Sequence, residues 1–82
     1  MIQVLFFASL REKLNCAGMP LNIQSPCRAR DVLQQLIRQH PEWENALNGP
    51  RLLVAINQEM SQPDDAVQDG DEVAFYPPVT GG

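Results

Sequence analysis

One stretch of this chain carries a helical period strong enough to bury a face, and strand-like segments flank it on both sides. In residues 28–40, Ala29, Val32, Leu33, Leu36 and Ile37 recur at spacings of three and four, giving a single apolar stripe. Arg30, Gln34, Gln35 and Arg38 take the other side. Pro41 then blocks continuation, because its ring removes a donor and disfavours helical geometry in the residue before it. A lone helix with one apolar stripe is most economically buried against a sheet. The 82 residues allow one small domain, and a hydrophobic content of 44% is enough to fold it. The expected class is α+β: a mixed sheet of four to five strands with one main helix on one face.

The strands come from alternation. Residues 2–8 are rich in β-branched and aromatic side chains, with Ile2, Val4 and Phe6 on one face and Gln3, Leu5 and Phe7 on the other. Gln3 marks the second face as the outer one, so Leu5 and Phe7 are apolar where water is expected, as in a partner-binding patch; the alternative is a central strand covered on both faces. Residues 9–14 read as a short helical turn with Ser9 as N-cap, and residues 15–20 as a loop. Residues 21–24 alternate and read as a strand pairing with the first. After the helix, Trp43 and Leu47 are expected to cover the end of the core, with Gly49-Pro50 as a turn. Residues 51–57 form the next strand, with Val54 and Ile56 on one face and Leu53 and Ala55 on the other. A short strand at 59–61, an acidic loop and the Asp69-Gly70 turn lead to the last strand, residues 72–76. The first and last strands are the most apolar and are expected to be parallel neighbours at the sheet centre.

That last strand runs into Pro77 and Pro78, which cannot extend a ladder. Residues 1–76 are therefore the domain, and 77–82 an extended arm of about 3.1 Å per residue. Val79, Thr80, Gly81 and Gly82 follow with little bulk towards the tip, so the tip fits a narrow channel and presents its carboxyl group.

Charge and composition exclude several classes. The net charge of −4 argues against nucleic acid, which needs a basic face. All six basic residues lie in 1–51, whereas 52–82 hold six acids and no Lys or Arg, so docking of the arm-bearing half on a basic surface is expected. No apolar run approaches a membrane span, and Met-Ile-Gln-Val lacks the basic start of a signal peptide, so the cytoplasm is the expected compartment. Cys16 and Cys27 have no metal-ligand spacing and are expected to be reduced thiols. His40 at the helix end suits capping. Val67 occupies a position that a calcium loop over 65–70 would need for an oxygen ligand, so no metal site is expected.

The order strand, strand, helix, strand, short strand, strand with a Gly-Gly end resembles the β-grasp (ubiquitin-like) sulfur carriers. The segment Asp-Gly-Asp-Glu-Val-Ala-Phe-Tyr-Pro-Pro-Val-Thr-Gly-Gly at 69–82 is similar to that of the small subunits of molybdopterin synthase. So are Val-Leu-Phe-Phe-Ala at 4–8 followed by Arg11-Glu12, and the strand at 52–57. One departure is Arg28, where the family often has a capping Thr or Ser. The resemblance implies a sulfur carrier for molybdenum cofactor biosynthesis, with no cofactor of its own. An ATP-dependent activating enzyme would adenylate Gly82, a sulfur source would replace AMP to leave a thiocarboxylate, and the arm would enter the large synthase subunit. There the sulfur would attack cyclic pyranopterin monophosphate. The chain would then be the sulfur-donating, non-catalytic subunit of a sulfurtransferase. Its partner surface is expected to comprise Leu5, Phe7, Leu53, Ala55 and Tyr76, with the acidic half as rim and with Pro77, Pro78, Val79 and Thr80 in the channel beside Gly81. Three other readings remain: a thiamine-type sulfur carrier, whose chains usually lack the Pro-Pro-Val-Thr spacer; a ubiquitin-like modifier joined to lysines; and a β-grasp interaction domain with a tail.

Overall fold

The computed structural model describes residues 1–24, 26–48 and 52–77. Strand β1 (Ile2–Phe6) leads into helix α1 (Ala8–Leu14), then β2 (Gly18–Leu21) and the two-residue β3 (Cys27–Arg28). Helix α2 (Ala29–Gln39) is followed by a single 3-10 turn (Pro41–Trp43) and the short helix α3 (Glu44–Leu47). Strands β4 (Leu53–Ile56), β5 (Glu59–Ser61), β6 (Ala66–Val67) and β7 (Glu72–Tyr76) complete the described chain. Five strands form one sheet in the order β2-β1-β7-β4-β5, and β3 pairs with β6 beside it. β1 and β7 are parallel and central, as their apolar runs imply; the other pairings are antiparallel. This is the expected β-grasp arrangement.

Alternation sorts the sheet into two faces. Ile2, Val4, Phe6, Leu21, Val54, Val73 and Phe75 are buried on the inner face. Against them α2 sets Ala29, Val32 and Leu36, α1 sets Leu10 and Leu14, and Trp43 and Leu47 close the end. Phe6 lies at the centre: Trp43 meets it edge-on at 5.5 Å between centroids, and Phe75 stacks on it at 6.3 Å.

Helix α2 starts without a side-chain cap, because the Arg28 guanidinium at the N-cap position has no acceptor to offer. Its first donors are satisfied by the loop before β6 instead. The Ala29 N–H donates to the Asp65 carbonyl (3.1 Å) and the Arg30 N–H to the Pro63 carbonyl (2.9 Å). The Arg30 side chain pairs with Asp64, and Asp31 accepts from the Arg28 N–H at 2.9 Å. At the other end His40 takes the C-cap position, its N–H bonding the Leu36 carbonyl at 2.8 Å. The imidazole covers Trp43, stacked at 3.9 Å.

Several boundaries differ from the sequence expectation. The strand after α1 is Gly18–Leu21 rather than 21–24, because pairing with β1 sets Leu21 opposite Ile2 and Gly18 opposite Leu5. Residues 22–24 keep their alternation but lie outside any ladder. Phe7, not Ser9, is the N-cap of α1. Its N–H still bonds the Phe75 carbonyl as a strand would, while its own carbonyl accepts the first helical bond from Arg11. β1 accordingly stops at Phe6, short of the expected Ala8. β4 is shorter than the expected 51–57, with Arg51 outside the described residues, as is the expected Gly49-Pro50 turn. β3 and β6 carry no periodic signal, since two residues cannot show one.

Two local features generate predictions. A Cβ at Gly18 would sit 2.6 Å from the Val4 carbonyl oxygen and 2.9 Å from Leu5 Cδ2, so the strand must shift to accept one. Gly18→Ala is expected to cost about 1–3 kcal/mol in chemical unfolding, as overpacking does. Asp71 accepts bonds from the Gln68 N–H (2.8 Å) and from Asn57 Nδ2 (3.1 Å), and the Gln68 bond, with that of Asn57, holds its carboxyl below the usual carboxylate range. A lowered folded value means stability that is present above the unfolded carboxylate pKa and lost as pH falls through the folded one. Asp71→Asn keeps one acceptor of the two. It is expected to be less stable than the parent at pH 7, by less than about 1 kcal/mol for so exposed a group, with the gap closing below about pH 4 in urea melts.

Candidate functional site

The outer face of the sheet is built in rows by the strand register. At one end Pro20, Gln3 and Glu72 stand side by side. The middle row runs Gly18, Leu5, Ala74, Ala55, Met60 across all five strands. The last row holds Phe7, Tyr76 and Leu53, at the end of β7 that leads to Pro77. Phe7 and Tyr76 stack almost parallel, 4.9 Å between centroids and 9° between planes. The polarity of the face is therefore graded along β7, polar at its start and apolar where the arm departs.

Small side chains hollow the centre. Ala55 and Ala74 are each 2% exposed although they belong to the outer face, whereas Phe7 is 37% and Met60 65% exposed. Their methyl groups are short beside Leu5 and Met60 in the same row and Leu53 and Tyr76 in the next, so the patch is a shallow trough rather than a dome. Ala55, expected as a contact residue, is its floor and offers little surface. Met60 was not anticipated; its place follows from the pairing with Ala55, which a three-residue strand does not reveal in sequence. Leu5, Phe7, Leu53 and Tyr76 do come together as expected, and Pro77 follows Tyr76 at the same edge. Pro78, Val79, Thr80, Gly81 and Gly82 lie outside the described residues.

The acidic half does not surround this patch. Asp69, Asp71 and Glu72 sit at the start of β7, at the end of the sheet remote from Pro77, with Glu59 paired to Ile56 near them. Most of these acids are engaged within the chain: Asp64 with Arg30, Asp69 with the N-terminal amine, Asp65 with the Gln62 N–H, and Asp71 as above. The rim expected to be acidic is acidic on one side only. From Phe7 the nearest charged side chains in sequence are Arg11 and Glu12, both exposed on α1.

A family model, that of the ThiS family, matches residues 4–82. The chain belongs to the ThiS family. It is 43% identical over 82 residues to the molybdopterin synthase sulfur carrier subunit of Haemophilus influenzae, with all of both chains covered. Identity to the sulfur carrier subunit of Escherichia coli is 42% over the same length and with the same coverage. Among solved structures, SAMP1 from Haloferax volcanii superposes with a TM-score of 0.84 at 28% identity, covering 99% of this chain and 98% of that one.

In this ThiS-family chain the described body offers a face for docking and little reactive chemistry. Among the described residues no three His, Cys, Asp or Glu side chains are placed to hold a metal ion, and no helix is long and apolar enough to cross a membrane. Cys16 is half-buried, its thiol donating to the Gly18 carbonyl at 3.4 Å. Cys27 is also half-buried; burial, and then the nearby Asp31 carboxylate, push its thiol pKa up. A raised pKa leaves less thiolate, the nucleophilic form. Cys27 should therefore alkylate with iodoacetamide at pH 8 more slowly in the folded chain than in urea, read by peptide mass mapping. Equal rates would contradict the assigned environment.

Proposed function

We propose that this chain is the sulfur carrier of a molybdopterin synthase, acting in molybdenum cofactor biosynthesis in the cytoplasm through a thiocarboxylate on Gly82. The observation that carries the reading is the end-to-end match to sulfur carrier subunits, which includes the Gly-Gly tip. Physical chemistry orders the steps. A terminal carboxyl with a pKa of about 3.5 is ionised at neutral pH, and its oxide is a poor leaving group. A carboxylate oxygen of Gly82 attacks the α-phosphorus of ATP within an activating enzyme, and pyrophosphate leaves. Sulfide then attacks the carbonyl carbon and AMP leaves, giving the thiocarboxylate. Where a persulfide attacks instead, loss of AMP leaves an acyl disulfide, and a second thiol cleaves its S–S bond, departing as a disulfide with the donor thiol. With Gly81 beside it and Pro77, Pro78, Val79 and Thr80 as spacer, the loaded tip enters the large synthase subunit. There the sulfur acts as nucleophile towards cyclic pyranopterin monophosphate.

The trough is the surface offered to the large subunit. Its apolar end, with Leu5, Phe7, Leu53, Met60 and Tyr76, lies where the arm leaves, so docking the body delivers the tip. Binding the body raises the local concentration of the tip in the channel, which the few small atoms of the tip would not achieve alone.

Intact-mass measurement of the chain from its host is expected to show a species in which one sulfur replaces one oxygen, localised to the C-terminal peptide. Deleting Gly82 should abolish both that species and cofactor formation while the melting temperature stays unchanged. Lysine-linked adducts in place of the sulfur species would favour a protein modifier, the role that the name of the Haloferax relative states for that protein. Tyr76→Ala is expected to weaken binding to the large subunit tenfold or more, about 1.4 kcal/mol or above, as loss of a central aromatic contact does. Unchanged affinity in titration calorimetry would remove Tyr76 from the docking surface.

A further inference from the structure

We propose that Phe7 is a positioning residue: its ring, stacked on Tyr76, fixes the direction in which the chain leaves the sheet after β7. The proposal rests on the sulfur-carrier reading for its consequence and on two separate observations for its geometry.

The first is the grip on the strand end. Tyr76 is the last residue of β7, and Phe7 holds that end twice. Its N–H bonds the Phe75 carbonyl at 3.2 Å, and its ring lies 4.9 Å from that of Tyr76 at 9°. Near-parallel rings at that centroid distance are offset-stacked, which resists rotation of either ring about its χ1. Pro77 follows immediately, and its fixed φ passes the orientation of Tyr76 on to the chain beyond.

The second is backbone strain one residue away. Ala8 has φ of 56°, in the left-handed region, where an L-residue with a Cβ costs about 1–2 kcal/mol. Ala8 is exposed, so no packing of its own methyl group accounts for that cost. The benefit of the conformation lies on either side. Leu10 and Leu14 reach the core from α1, while Phe7 stays on the outer face beside Tyr76. Strain that the surroundings over-determine in this way is concentrated at functional sites.

Direction matters because the arm is long relative to the tolerance of chemistry. Six residues from Pro77 to Gly82 would reach about 19 Å at ~3.1 Å each if extended, and at that reach a tilt of about 10° at the root would move the tip by about 3 Å. A misplacement of about 1 Å at reacting atoms already costs on the order of 100-fold.

Because Phe7 also belongs to the docking face, the test separates aim from affinity. Phe7→Leu keeps an apolar side chain and removes the ring; Phe7→Tyr keeps the ring. In the isolated chain, nitrogen-15 relaxation should show a lower order parameter for the Val79 amide in Phe7→Leu and the parental value in Phe7→Tyr. With the large subunit at saturating concentration, single-turnover sulfur transfer from thiocarboxylated chain should fall at least tenfold in Phe7→Leu and return to within about twofold in Phe7→Tyr. Weaker binding alone, with either the order parameter or the saturated rate unchanged, makes Phe7 a contact residue and overturns the proposal; so does failure of Phe7→Tyr to restore both. If the parent chain transfers no sulfur, the reading beneath fails, and the Val79 measurement alone decides this one.

Discussion

The parallel pairing of β1 with β7 is the constraint on which the rest of the molecule depends. It joins segments about seventy residues apart, setting Val4 opposite Val73 and Phe6 opposite Phe75. Parallel neighbours need a long crossover, and here nearly the whole chain supplies it, with α2 lying on the face where Phe6 and Phe75 are buried. The same register sets parity on the other face. With Phe75 inside, Tyr76 must be outside, and Phe7 meets it there. A slip of one residue would exchange the two faces and expose the aromatic core. The apolar outer face and the core are thus two consequences of one alignment.

The acidic second half illustrates how a charge pattern can have a local cause. Asp65 and Asp71 each accept from the backbone N–H three residues earlier, and Asp31 does the same at the start of α2. These are turn and cap interactions, which favour Asp for its short acceptor whatever its charge does at long range. The loop carrying Asp64 and Asp65 also supplies the carbonyls that receive the first N–H groups of α2. The helix therefore tolerates Arg28 at its N-cap because tertiary structure has taken over the work of the missing hydroxyl. Much of the acidity of residues 52–82 thus serves turns, caps and ion pairs within the fold, and the outer-face row of Phe7, Tyr76 and Leu53 is left apolar.

Legibility in the sequence tracks the length over which a pattern can repeat. The α2 stripe, the central strands and the inner or outer parity of Phe6 and Phe7 are readable, because five or more residues of period 3.6 or 2 leave few alternatives. Tyr76 rather than Phe75 is expected outside because its hydroxyl tolerates water. β2 is displaced by three residues from its expected place because residues 21–24 alternate as well as a strand would, and only the pairing with β1 decides. The β3–β6 pair and the place of Met60 are invisible for the same reason: they exist only as partners. Ala55 shows a different limit. Alternation assigns its face correctly, but exposure depends on the size of the neighbours, and a methyl group between longer side chains is covered on either face. The chemistry proposed for the tip comes from the family resemblance; composition and order supply only a small-residue end suited to it.

The trough, the stack and the tip make physical sense only together. A Gly-Gly end has few atoms with which to bind, so its residence in a channel must come from the body. Docking the body helps only if the link between them is stiff, because a loose link spreads the tip over a volume that grows with the cube of its reach and dilutes the gain in effective concentration. Pro77 and Pro78 each restrict φ by their ring, which in the proposed reading would stiffen the link at little bulk. Prolines cannot, however, fix their own starting direction; that is set by the residue before them. In this chain that residue is Tyr76, stacked on Phe7, the residue that follows β1. The ordered sheet thus extends to Tyr76, and if the proposal for Phe7 holds, the parallel alignment that builds the core would also aim the residues beyond it.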